Sequence, residues 1–166
     1  MAYQGTRLSI DALVALSSGS RDSDLEVRGS SVGVLHSARG SARRSAELLD
    51  EGETLDGAWR FGVLQTLDYY RSTVARGGVQ LGAGVFAEAP EPTGSAELDA
   101  AFAALAEYLA DRDGWAVPAW AATRGRLQND WFPDVPAIFR EEARAASPAP
   151  FRSRGIYITD RSLARA

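Results

Sequence analysis

Residues 95–114, SAELDAAFAALAEYLADRDG, carry the clearest fold signal in the chain. Leu98, Phe102, Leu105 and Leu109 recur every three or four positions, which places them on one stripe of an α-helix. Alanine, the strongest helix former, fills the positions between. Ser95 stands where an N-cap belongs, and Glu97 and Asp99 fall in the first turn, where the helix dipole favours negative charge. Asp113-Gly114 stops the run. The spacing predicts a helix over 96–112, with the rest of a mainly α domain built on it.

Upstream, residues 55–71 show the same periodicity. Leu55, Trp59, Gly62/Val63, Thr66/Leu67 and Tyr70 share a face, Thr54 is placed to cap, and Gly77-Gly78 lies beyond the end. Ser37 to Asp50 carries Ala42, Ala46 and Leu49 at helical spacing and closes at Gly52. Leu25, Val27, Val32 and Val34 alternate around Gly29, which predicts a small hairpin over 25–36. Residues 79–86 also alternate and read as an extended segment weakened by small residues. Residues 1–24 read as a short helix capped by Ser9, followed by a polar linker, and 25–166 as one globular domain.

Downstream the character changes. Pro118, Pro133, Pro136, Pro148 and Pro150 exclude long regular elements. Helices fit over about 119–128 and 136–146. Ile156 to Ile158 reads as a brief extended piece, and Thr159 or Asp160 as the cap of a last turn through Leu163. The expected class is mainly α with a minor β component and an irregular, Pro- and aromatic-rich C-terminal segment, 131–166.

Composition narrows the chemistry. The 166 residues include no cysteine, which excludes disulfides, thiolate nucleophiles and Cys-type zinc sites. All 18 basic residues are arginine, so neither a Schiff-base lysine nor a P-loop lysine exists. The single histidine, His36, has no Gly-x-Ser-x-Gly elbow near it. Glu141 and Glu142 are adjacent and diverge on a helix, and Asp99, Asp111 and Asp113 fit no metal loop. Gly77-Gly78 and Gly82-Ala-Gly84 lack phosphate-loop spacing. The reading is a non-enzymatic protein with no catalytic residue, no metal and no cofactor. Without a signal region or a run of about 18 apolar residues, a cytoplasmic location and no membrane partner are expected.

Two surfaces remain as candidates. The first is the tail, where Trp131, Phe132, Phe151, Arg152, Arg154 and Tyr157 combine aromatic and Arg side chains, the types enriched at interface hot spots. If the tail anchors a partner, a chain ending at Ser147 folds but does not bind; if the tail is core, that chain unfolds. The second is the segment 37–50, where Arg39, Arg43 and Arg44 offer a DNA-binding face, with Arg39 and Arg43 aligned at i, i+4. A net charge of −4 disfavours non-specific binding to phosphates and favours a basic partner.

From Thr93 onward the layout, with the stretches PTGSAELDAAFAALAEYLA, VPAWA, WFP and SPAPFRSRGIYITDRSLARA, resembles a group of small actinobacterial proteins. Members act as the antitoxin-side or regulatory partner of nucleotidyltransferase-type toxins, and some carry an N-terminal helix–turn–helix. The resemblance covers 93–166; residues 1–50 show no clean helix–turn–helix. It implies an antitoxin that neutralises a cognate basic toxin by direct binding. A DNA-binding regulator acting through 37–50 is the alternative, and a homodimer stays open.

Overall fold

A computed structural model describes residues 33–164. The chain divides into two units, Met1–Gly33 and Val34–Ala166. The expected N-terminal helix and linker, and residues 25–32 of the expected hairpin, lie outside the described residues; residues 33–36 form no strand.

The second unit is mainly helical, as the periodicities predict. Its elements are α1 (Ala38–Asp50), α2 (Leu55–Ala58), a π-helical segment (Trp59–Leu64), α3 (Gln65–Ala83), a 3-10 turn (Gly84–Phe86), α4 (Ala96–Asp113) and α5 (Ala119–Ala122). A second 3-10 turn (Ala137–Phe139), α6 (Arg140–Ala146), α7 (Ala149–Arg152) and α8 (Asp160–Leu163) follow.

Helix α4 is the hub. It packs against α1, the π-helical segment, α3, α5 and α7. Its Leu98, Phe102, Leu105 and Leu109 are buried, and so are Ala100, Ala101, Ala103, Ala104 and Ala106. The alanines therefore do more than keep the helix formed: they let neighbouring helices close in on several sides. The expected caps hold it. Leu98 N donates to Ser95 Oγ (3.3 Å), and Gly114 takes the left-handed conformation at the other end (φ 76°).

Small residues also set the contact between α1 and the π-helical segment. Helix α1 buries Ala38, Ser41, Ala42 and Ser45, and meets the π-helical segment at Gly62. A Cβ at Gly62 would overlap Ser45 Oγ, which donates to Ser41 O (3.1 Å). Gly62→Val is expected to destabilise the domain by about 3 kcal/mol, the upper end for overpacking. Ser45→Ala in the same background should recover part of the loss, read as paired thermal melts.

The alternation over 79–86 does not produce a strand. The helix breaks at Gly77 and Gly78 (φ 81° at Gly78), then resumes to Ala83 and tightens into the 3-10 turn. Gly82 is the reason: it lies so close to Val74 and Tyr70 that a Cβ would not fit. The second helical run therefore folds onto the first and buries Val85 and Phe86. Tyr70 is buried here, donating to Asp113 Oδ2 (2.6 Å) and accepting from Trp115 Nε1 (3.0 Å). Burial, then the bond to Asp113, pushes its hydroxyl pKa up to about 12.

The expected minor β component reduces, among the described residues, to one parallel bridge between Trp131 and Ile156. Trp131 N donates to Gly155 O, Tyr157 N to Trp131 O, and Leu127 N to Arg154 O, each at 2.9 Å. The same ladder explains why the helix expected over 119–128 stops at Ala122. Backbone groups beyond Gly125 are held by residues 154–157 rather than by an α-helix. The last turn forms as read, with Thr159 and Ser162 making a reciprocal capping box.

Candidate functional site

Most of the expected tail surface lies inside the domain. Phe151 is fully buried, with its ring edge-on to Trp59 and Tyr108. Tyr157 is buried and stacks on half-buried Phe132 (5.1 Å). Trp131 is half-buried and edge-on to Trp59 (5.7 Å). Arg154, 4% exposed, donates to Pro150 O (2.8 Å) and Ala121 O (2.8 Å), and pairs with Glu107 (2.7 Å). Of the six tail residues, Arg152 alone is exposed. This departs from the expectation of an aromatic–Arg anchor for a partner. The physical reason is that Pro148, Pro150 and the 154–157 ladder turn the tail back onto α4, where the aromatics complete the core.

The arginine segment also differs from a free basic face. Arg39 is held by Glu88 (3.1 Å) and Glu91 (2.7 Å), and Arg44 by Glu47 (3.1 Å) and Glu51 (3.4 Å). Those carboxylates raise the pKa of both guanidiniums, chiefly through the hydrogen bonds to Glu91 and Glu47. Phosphates would have to displace them. Arg43 has no hydrogen-bond or ion-pair partner among the described residues. His36 stacks on Tyr69 (4.2 Å), a packing role with no serine–carboxylate relay. Among the described residues no three His, Asp or Glu side chains converge, and no helix is long and apolar enough to cross a membrane.

Among the described residues, the exposed large apolar side chains form two other patches. One is the 3-10 turn, where Ile138 is 83% and Phe139 45% exposed. The turn is well braced. Before it, Asp134 adopts a left-handed backbone (φ 53°) and takes both 2.8 Å bonds from Arg60, while its N–H donates to Asp56 (3.1 Å). Beneath it Val135, Ala143 and Tyr157 form a small core with Phe132. Arg140 and Arg144 lie over the Phe132 ring at 5.1 and 4.9 Å. Beside Phe139 a cavity of about 200 Å³ is lined by Glu142, Thr159 and Arg161.

The other patch is a groove of about 330 Å³ between α1 and the π-helical segment. Its rim carries Leu35, 69% exposed, and Phe61, 55% exposed. His36, Tyr69, Arg43 and Arg44 line it together with the small residues of α1 and Gln65. The Ile138–Phe139 turn was not read as a site from the sequence, and of the groove only Arg43 and Arg44 were, as part of the candidate DNA-binding face. The available signals were weak: Phe61 falls off the Trp59–Val63 stripe, and Ile138-Phe139 is an apolar pair between Pro136 and a charged helix. No protein-family model matches the chain, and no curated protein or solved structure matches it.

Proposed function

We infer that the chain is a non-enzymatic protein-binding module, antitoxin-like, which neutralises a toxin in the cytoplasm by stoichiometric contact. The observation that carries this reading is the exposure of Ile138 and Phe139 on a turn braced by Asp134 and the Val135–Tyr157 core. An apolar pair held rigid in the free protein loses little entropy on binding, so its burial by a partner is converted efficiently into affinity. The turn falls within the stretch that resembles antitoxin-side proteins. The net charge of −4 would steer encounter with a basic toxin.

The test is co-expression of the tagged chain with neighbouring open reading frames, followed by size-exclusion chromatography with mass detection. The expected result is a co-eluting partner that is toxic alone. Ile138→Asp combined with Phe139→Ser should abolish co-elution and leave the melting temperature within about 2 °C, as for an exposed substitution. Co-elution that survives this double change would move the interface elsewhere; absence of any toxic partner would sink the antitoxin reading.

A further inference from the structure

The groove between α1 and the π-helical segment lies outside the C-terminal stretch and has a different chemistry from the Ile138–Phe139 turn. We propose that it receives an amphipathic peptide segment of a partner protein, one whose apolar anchor residue is flanked by carboxylates. This goes beyond the antitoxin reading and stands or falls separately.

Shape argues for a peptide. The groove holds about 330 Å³, enough for one or two side chains, the lower end of the usual range for small-molecule pockets of about 300–1,000 Å³. Its two largest apolar residues, Leu35 and Phe61, are on the rim and mostly exposed rather than lining an enclosed pocket. Rim residues meet a segment that runs across the opening. The stacked rings of His36 and Tyr69 supply a flat wall for the anchor.

Charge argues for an acidic one. Arg43 faces the groove with no partner among the described residues. Arg44 also lines it, tied to Glu47 and Glu51 along one side of its guanidinium. One free cation and one partly neutralised cation match one or two carboxylates. They are too few for a nucleic-acid backbone, whose binding depends on several cations displacing counterions together. Glu47 and Glu51 on Arg44, and Glu88 and Glu91 on Arg39, leave Arg43 as the point where an anion is received, which suits one or two carboxylates and not a longer phosphate track.

The experiment selects ligands for the immobilised full-length chain from a random 12-residue peptide phage library. Enriched sequences are then synthesised with a fluorophore and titrated by anisotropy. Selected peptides should place Leu, Phe or Trp next to Asp or Glu. Phe61→Ser and Arg43→Glu should each weaken binding at least tenfold, while Asn129→Ala, exposed and outside the groove's lining, leaves it unchanged. Circular dichroism melts check that both exposed-site variants fold as the wild type does. The proposal is overturned if no peptide is enriched, if the enriched peptides are basic, or if binding ignores both groove variants. It is equally overturned if a single-stranded 15-mer oligonucleotide binds in their place, or if mass detection finds a homodimer that Phe61→Ser dissolves. None of these outcomes depends on whether a toxin partner exists.

Discussion

A chain ending at Ser147 is expected not to fold. The removed segment carries Phe151, Ile156 and Ile158, all fully buried, and Leu163, almost so. Each such side chain contributes about 1.5–3 kcal/mol by leaving water, so their loss together rivals the whole stability of a domain this size, about 5–15 kcal/mol. Their removal would also uncover Trp59, which Phe151 and Trp131 enclose edge-on. The truncated chain should show no cooperative transition in urea, followed by tryptophan fluorescence. Phe151→Ala measures the same packing without deleting backbone, and should cost about 3–5 kcal/mol. A truncated chain with a wild-type midpoint would show that the tail packs on nothing and return it to the interface role the sequence suggested.

Arg154 and Arg152 should separate sharply. They look alike in the sequence, flanking Ser153 beside Phe151. Arg154 is buried, and its guanidinium satisfies two backbone carbonyls and the Glu107 carboxylate. Arg154→Ala strands all three acceptors, and removing one member of a buried pair costs about 3–5 kcal/mol. Glu107 keeps some solvent contact, which places the expected loss near 3 kcal/mol. Arg154→Lys restores the charge but not the forked geometry, and should recover only part of it. Arg152→Ala, on an exposed side chain, should stay within about 0.5 kcal/mol. Equal effects in urea titrations would mean that the Arg154 bonds do not hold the tail.

Local signals were read well where local physics decides the outcome. Thr54 and Ser95 cap the helices they precede, because a cap bond joins residues only three positions apart; Ser37, counted as the first helical residue, caps α1 in the same way. Gly114 ends α4 for the same kind of reason, a backbone conformation that costs glycine little. Residues 79–86 were misread because period-two alternation in a short glycine-rich run does not distinguish a strand from a helix. The fit of Gly82 against Val74 and Tyr70 decides it, and no spacing rule records that contact.

The candidate surfaces were less legible. Aromatic and Arg side chains are chosen both for interfaces and for cores with polar handles, and composition alone does not separate the two. Trp131, Phe151, Arg154 and Tyr157 went to the core because the Pro148–Gly155 turn carries them back to α4 and the strand-like pairing with 127–131 fixes them there. Ile138, Phe139, Leu35 and Phe61 carry only weak signals in the sequence, yet among the described residues they are the large apolar side chains left exposed.

By itself, then, the sequence determined the helical class, the caps at Thr54 and Ser95, the central helix over 96–112 and the absence of thiol and lysine chemistry, because these follow from composition and from contacts between near neighbours. The tertiary structure decided which aromatics close the core, which arginines are already neutralised by glutamates and which apolar residues face water. Those outcomes depend on pairs such as Arg60 with Asp134, Arg39 with Glu91 and Arg154 with Glu107, dozens of positions apart, whose meeting is fixed only when the helices pack.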